Sequence, residues 1–255
     1  MPTTAKATAE GATATARLSA FGSLDPTELA GLTQFGGSEQ ILGLGETLWK
    51  EGDRLPGLFV LLDGWMVSTM STSASDSVTV KIHLPGDILG LPGLAFVRSP
   101  QHATALTRVR LLPISLASFG RLFSSHPRVA AIMFLVSQQE RLELMDKLAA
   151  RATSDVTQRL AAFVNGLHAR VKHSFSDTGD AFPLPLRRRH VADLIGATLP
   201  QLTGALKTMR AENVFGWSDR LLTIIDPVAL DARAGLPSRR LAQDSFWLPP
   251  VSAND

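Results

Sequence analysis

Between Arg187 and Arg210 this 255-residue chain gathers residues suited to chemistry on a nucleic-acid duplex. Arg187, Arg188 and Arg189 are consecutive guanidinium forks of the kind that hold phosphates. Thr198, Gln201 and Thr203 carry hydroxyl and amide groups that can meet base edges, with Lys207 and Arg210 one to two turns further on. Such groups read a duplex only if a rigid element holds them on one face. The spacing supplies two helices: Val191, Leu194 and Ile195 form an inward stripe on the first, and Gly196 allows the sharp turn that ends it. Thr198 caps the second helix, Gln201 completes a capping box, and Pro200 sits in the first turn where its missing N–H costs nothing. Leu202, Leu206 and Met209 then face the first helix, leaving Gln201, Thr203, Gly204, Lys207 and Arg210 outward. This is a helix-turn-helix pattern whose second helix would enter a DNA major groove. Two short strand-like runs around Ser218-Asp219, from Val214 to Ile225, read as a wing, with Arg220 a further phosphate contact. An ordinary helical hairpin with a β-ribbon is the plain structural alternative.

The charge distribution follows the same division. Residues 1–150 hold 12 Lys and Arg against 13 Asp and Glu, and residues 151–240 hold 13 against 8. The basic excess travels with the helix pair, as phosphate binding requires. The absence of cysteine excludes disulfides, thiolate iron–sulfur ligation and thiol redox sensing. It fits a cytoplasmic protein, and no apolar run is long enough for a membrane span. The six histidines are scattered, and there is no phosphate loop, nucleophile motif or useful pair of carboxylates, so an enzyme is not expected.

The remaining chain must carry those helices. Residues 1–20, rich in Ala and Thr, read as a disordered tail, followed by a short helix started by Asp25 and Pro26. Residues 21–125 turn to short apolar runs between glycine turns, the pattern of a β-roll. Within it Val78, Val80, Ile82 and Leu84 alternate with Thr79, Lys81 and His83, which places His83 on a polar face. From Pro127 a run free of glycine and proline, Arg128–Ala150, reads as one long helix. Its stretch from Ala130 to Val136 is apolar all round, and Leu135, Leu142, Met145 and Ala149 step as a coiled-coil seam. We read residues 126–152 as a homodimer helix with a hinge at Arg151–Thr153. Ser154-Asp155 caps a further helix, Val156–Val171, and Lys172–Phe182 reads as a polar loop. The winged domain spans 153–230. Residues 231–255 form a tail in which Phe246, Trp247 and Leu248 are able to dock on the body.

The fold class is α+β: an N-terminal β-roll, a long dimerisation helix and a C-terminal winged helix-turn-helix. This order resembles the CRP/FNR superfamily of bacterial transcription regulators. The likeness is carried by Gly45-Glu46, Gly52-Asp53, Asp63-Gly64, Pro85-Gly86-Asp87-Ile88-Leu89-Gly90, Val156-Thr157-x-Arg159-Leu160-Ala161 and the pair His190–Met209. The resemblance implies a cyclic-nucleotide-type pocket in the roll. Members that bind cyclic nucleotide place a Glu for the ribose where Leu91 stands here, and Arg-Ser or Arg-Thr for the phosphate where Gln101-His102 stand. The pocket positions are then Leu89, Gly90, Leu91, Leu94, Gln101, His102, Ala103 and Thr104, with Leu144 and Met145 from the long helix; Arg98 is out of register. No cyclic AMP binding is expected, and no cofactor. A haem would need axial ligands from His83, His102 or His126, whose ordinary reading is as surface or hydrogen-bonded histidines. An apolar or aromatic effector and a permanently set, empty roll stay equally open.

Many relatives also carry Arg-Glu and a later Arg on the reading helix, where this chain has Leu199-Pro200 and Gly204. The expected half-site is therefore different and weighted to A·T pairs, with Gln201 on adenine and Thr or Leu on thymine methyls. The resemblance implies a homodimer on a palindrome, RNA polymerase as a further partner, and control by a shift in population that rotates the winged domains about the hinge. A sensor or scaffold of the same fold that has lost specific DNA binding is the alternative.

Overall fold

Period-two apolar patterning and glycine turns build two antiparallel sheets in the N-terminal half. In the computed structural model, which describes residues 17–25, 28, 36–72, 76–153, 155–175, 179–235 and 239–250, the roll strands are β1 (Gln40–Leu42), β2 (Thr47–Trp49), β3 (Leu58–Asp63), β4 (Met66–Ser71), β5 (Ser77–His83), β6 (Ile88–Leu89), β7 (His102–Ala105) and β8 (Val109–Ile114). One sheet has the order β1-β8-β3-β6 and the other β2-β7-β4-β5. At the β3–β4 turn Gly64 has φ 87°, and a Cβ there would lie 2.4 Å from the Arg108 carbonyl, so no other residue fits. The helices follow: α1 (Leu116–Ser125), α2 (Pro127–Thr153), α3 (Val156–Ser174), α4 (Arg188–Ile195), α5 (Leu199–Ala211) and α6 (Pro227–Ala234). Strands β9 (Ala181–Pro183), β10 (Phe215–Ser218) and β11 (Leu221–Ile224) form a third sheet in the order β10-β11-β9.

The chain divides into two units. One comprises Met1–Ser68, Ile82–Arg141 and Arg240–Asp255; the other comprises Thr69–Lys81 and Leu142–Arg239. In the first, β3 is buried on both faces because its alternate residues serve different cores. Phe59 and Leu61 join Trp49, Met66, Leu89, Ala103 and Leu111 between the sheets. Leu58, Val60 and Leu62 pack with Leu112 and Ile114 on the other side, where Phe119 of α1 closes over them. A third cluster is built around the start of α2: Val129, Ile132, Met133 and Val136 are covered by Leu122, Leu18, Phe21 and Leu248.

That third cluster corrects the sequence reading of both ends. Residues 1–16 lie outside the described residues, but Leu18 and Phe21 are buried, so the packed chain begins before residue 20. Residues 231–234 finish α6, and Leu248 is buried although Phe246 is fully exposed. The two ends are fastened at Arg128, a buried guanidinium that donates to the carbonyls of Ser23 (2.8 Å) and Pro249 (2.6 Å) and pairs with Asp244. Asp244 in turn accepts from the Ser23 N–H and hydroxyl, both at 2.9 Å. Arg17 bridges the buried Asp87 and Glu140 of α2, the latter at 2.8 Å.

Other expectations shift. The capping exchange between Asp25 and Glu28 is present, while the rest of the short helix after it lies outside the described residues. His83 is buried, not on an open polar face: its Nε2 meets the Ser68 hydroxyl at 2.8 Å, so a hydrogen bond accommodates it inside. Within the single chain Phe134, in the apolar Ala130–Val136 stretch, is 56% exposed. The long helix extends beyond Arg128–Ala150 at both ends, starting at Pro127 and finishing at Thr153. The stretch Lys172–Phe182 is not a loop throughout, because α3 continues to Ser174 and Ala181 opens β9.

Candidate nucleic-acid interface

In the second unit α3 is the platform. Asp155 caps it by accepting from the Gln158 N–H, and Leu160, Ala161, Val164, Leu167 and Val171 make its buried stripe. It packs against α4, α5 and α6. The turn between α4 and α5 is made by Gly196 in the left-handed region at φ 64°. The carbonyls left open at the end of α4 accept from arginines: Arg159 Nε donates to Ile195 O at 2.9 Å and Arg151 Nη2 to Asp193 O at 3.3 Å. Cations there also complement the helix dipole. Arg151, read as a hinge residue, thus touches the helix-turn-helix.

Thr198 and Gln201 form the capping box at the start of α5, as their spacing requires. Leu202, Ala205 and Met209 are buried on the inner face and Leu206 is half-buried. Thr198, Leu199, Pro200, Gln201, Thr203, Gly204, Lys207 and Arg210 lie on the outer side, and all are exposed. Arg187, Arg188, Arg189 and Arg220 are exposed as well. The twelve residues assigned to duplex contact from sequence therefore share one unit and reach solvent in it. The wing turn is Asp219-Arg220, both in the left-handed region at φ 48° and 62°, which matches the twist of a two-residue hairpin. The Arg188 guanidinium lies over the Trp217 ring, 5.0 Å from its centroid, coupling the first turn of α4 to the wing.

Several of these groups have partners within the protein. Gln201 Oε1 accepts from the Thr198 N–H at 2.9 Å and the Thr198 hydroxyl at 3.1 Å. The Thr203 hydroxyl donates to Leu199 O at 2.9 Å. Arg189 Nη2 donates to Ser77 O at 3.4 Å, and Asp193 accepts from the Thr79 N–H at 3.0 Å. Residues 77–81 and α4 belong to the same unit, and the Asp193 contact was not legible in the sequence because it joins positions 114 apart.

Two histidines in this unit are held below the ordinary imidazole range. For His190 burial is the main cause and Arg187 the next; its Nδ1 accepts from the Arg187 N–H at 3.3 Å. For His168 burial again leads, followed by Lys172, which sits 2.9 Å from the same Asp180 oxygen that His168 Nε2 approaches at 3.2 Å. The His168 ring stacks on Phe182 with centroids 5.9 Å apart.

The positions inferred for an effector in the roll are less unified. Leu89 and Ala103 belong to the core between the sheets, Gly90 is buried, and Leu91 is half-buried against the β3 and α2 clusters. Leu94 is exposed, as are Leu144 and Met145 on α2. Gln101 is bonded through its backbone to Ser99, whose hydroxyl donates to Gln101 O at 2.8 Å. His102 Nδ1 accepts from the Glu51 N–H at 3.2 Å, and Thr104 meets Thr47 at 3.4 Å. A small cavity beside these residues is lined by Arg17, Leu18, Gly86, Ile88, Leu91, Met133, Val136 and Glu140, with about 10 Å³ of free volume, the room of one water. Arg17 and Leu18 were missed as lining residues, since nothing local in sequence ties them to α2. No group of three or more His, Asp or Glu among the described residues could hold a metal ion, and no helix there is long and apolar enough to cross a membrane.

Known proteins share this arrangement. A family profile described as a cyclic nucleotide-binding domain matches residues 39–126, and one described as a Crp-like helix-turn-helix domain matches residues 158–233. The fumarate and nitrate reduction regulatory protein of Yersinia pestis is 26% identical over 201 residues, 77% of this chain and 78% of that protein. Among solved structures, FixK2 from Bradyrhizobium japonicum gives a TM-score of 0.69 at 18% identity, covering 79% of this chain and 98% of that one. A CRP/FNR-family transcriptional regulator from Thermus thermophilus gives 0.59 at 18% identity, covering 77% and 98%. These two likenesses carry the fold, while the two profiles and the regulatory relative carry the family. A roll, a long helix and a winged helix-turn-helix with an outward, basic-flanked reading helix, in this order and with these matches, place the chain in the CRP/FNR superfamily of DNA-binding transcription regulators.

Proposed function

We propose that this regulator works as a homodimer on a palindromic duplex site, under a sensor roll that does not take cyclic AMP. The observation that carries the reading is the outward face of α5 in the same unit as Arg187–Arg189 and Arg220 of the wing, all exposed. Two such faces related by a twofold axis would meet half-sites about one helical turn apart. The dimer is supported by α2, where Leu142 is 40% and Met145 50% exposed, three residues apart as in a heptad seam, with Ala149 exposed four residues further on. Exposed apolar residues in that pattern are what a second helix buries.

A cyclic nucleotide needs a carboxylate for its ribose and an arginine fork for its phosphate. Leu91 packs against apolar neighbours, and Gln101 and His102 are engaged with Ser99 and Glu51. RNA polymerase is the expected partner of a regulator on DNA.

Selection of binding sites from random duplexes, followed by footprinting, tests the reading: a symmetric protected site with two equivalent half-sites is expected. An asymmetric site or no enrichment would overturn it. Titration calorimetry with cyclic AMP should show no heat of binding, and micromolar affinity would refute the sensor assignment.

A further inference from the structure

We propose that α5 reads its half-site mainly through the 5-methyl groups of thymines, in place of the charged contacts that Glu and Arg would make. The inference rests on the DNA-binding reading above and specifies its chemistry.

The outward side of the first turns of α5 is uncharged. Leu199 is 49% exposed and Pro200, Gln201, Thr203 and Gly204 are exposed; the first cation on the face is Lys207. The inner face is already filled by Leu202, Ala205 and Met209, so the core does not require the alkyl surface of Leu199.

The polar groups on this face are largely committed. The Gln201 oxygen accepts two hydrogen bonds from Thr198, which occupies both of its lone pairs. An amide fork on adenine needs that oxygen to accept from the base, so adenine recognition would break the cap at the start of the helix. The Gln201 amide nitrogen is left as a donor only. The Thr203 hydroxyl donates to Leu199 O, so its proton is taken and its methyl remains.

Gly204 adds a geometric condition. A Cβ at this position would meet nothing within 4 Å, so packing does not demand glycine. Gly120 and Gly166 are equally open, but Gly204 lies between Thr203 and Lys207 on the outward face, where a missing side chain lets the helix backbone come close to a ligand.

The major groove offers one apolar group, the thymine C5-methyl, beside the O4 acceptor of the same base. Alkyl surface with an adjacent amide donor complements that pair. The same methyl is carried by 5-methylcytosine, whose neighbouring group is a donor and would repel the Gln201 N–H.

The test uses the full-length protein and the best duplex from random selection. Each thymine is replaced in turn by deoxyuridine, which removes only the methyl. Affinity should fall about three- to tenfold at one or two positions per half-site, near the value of one buried methyl or slightly above it. In Leu199→Ala, checked for folding by circular dichroism, thymine and uracil duplexes should bind alike. In a parallel arm, 5-methylcytosine at those positions should not restore the affinity lost with uracil. If every uracil duplex binds within twofold of the parent, or the selected half-site lacks thymine, the methyl reading is overturned while DNA binding stands. If selection enriches nothing, the specific-binding reading itself fails, and that is seen before the methyl arm begins.

Discussion

At the scale of single residues, Arg188 and Gln201 separate the two tasks of the interface. Arg188 is exposed and lies over Trp217 of the wing; in the proposed reading it holds the duplex backbone. Arg188→Ala should weaken every duplex to a similar degree and reduce the slope of log affinity against log salt by about 0.9, the value of one phosphate contact. Titrations of a specific and a random duplex from about 50 to about 200 mM salt would check this; a loss confined to the specific duplex would contradict it. The residue scale is also where sequence reading was most faithful. Thr198, Gln201 and Gly196 act on neighbours within four positions, and such local hydrogen bonding is written in spacing. What spacing could not tell is that the cap holds the Gln201 oxygen twice, which alters the chemistry available to a base.

At the scale of elements, the winged unit depends on two neutral imidazoles. His168 and His190 are both held below the ordinary value, chiefly by burial, with Lys172 and Arg187 adding to the effect. Each folded-state pKa lies below the unfolded one, so the unfolded chain binds more protons as pH falls through that interval. The stability these groups contribute is present above the ordinary imidazole pKa and is lost on acidification below it. Thermal melts should therefore show a lower Tm near pH 5.5 than near pH 7.5, in the titration range of histidine. The combined His168→Gln and His190→Asn variant should flatten that difference. An unchanged slope in the variant would show that other groups carry it. Elements differed in how far the sequence foretold them. The helix-turn-helix and β10–β11 were legible because their periodicity and turn residues are local. β9 was not, because Ala181–Pro183 becomes a strand only by pairing with β11, about forty residues later. His83 was misplaced for the same reason: alternation identifies two faces of a strand but does not say that both are covered.

At the scale of the whole molecule, the reading depends on two copies. Leu142 and Met145 are the exposed large apolar residues of the seam that a partner helix would cover. Leu142→Glu with Met145→Glu should place like charges in that seam, and light scattering should then report a monomer. The variant should still bind a single half-site weakly, with loss of the extra affinity that two linked half-sites provide. A dimer that survives both substitutions would move the interface elsewhere. The composition and order of the chain sufficed to foresee a roll, a long helix and a winged domain. The docking of Leu248 was foreseen as an option, but its meeting with Leu18 and Phe21 over the start of α2 was not, because side chains so far apart in sequence leave no periodic trace.

That closure bears on how the protein is made. Asp244 and Leu248 leave the ribosome after every other described residue of the first unit outside the final segment, yet they cover the start of α2 and neutralise Arg128. The first unit therefore completes its packing only after the helix-turn-helix has been synthesised. Until then the Arg128 guanidinium lacks two of its partners, Asp244 and the Pro249 carbonyl. A stop after Arg239 would keep every residue assigned to duplex contact and remove Asp244 and Leu248 from the first unit, so such a lesion should behave as a folding defect and not as a defect of operator recognition.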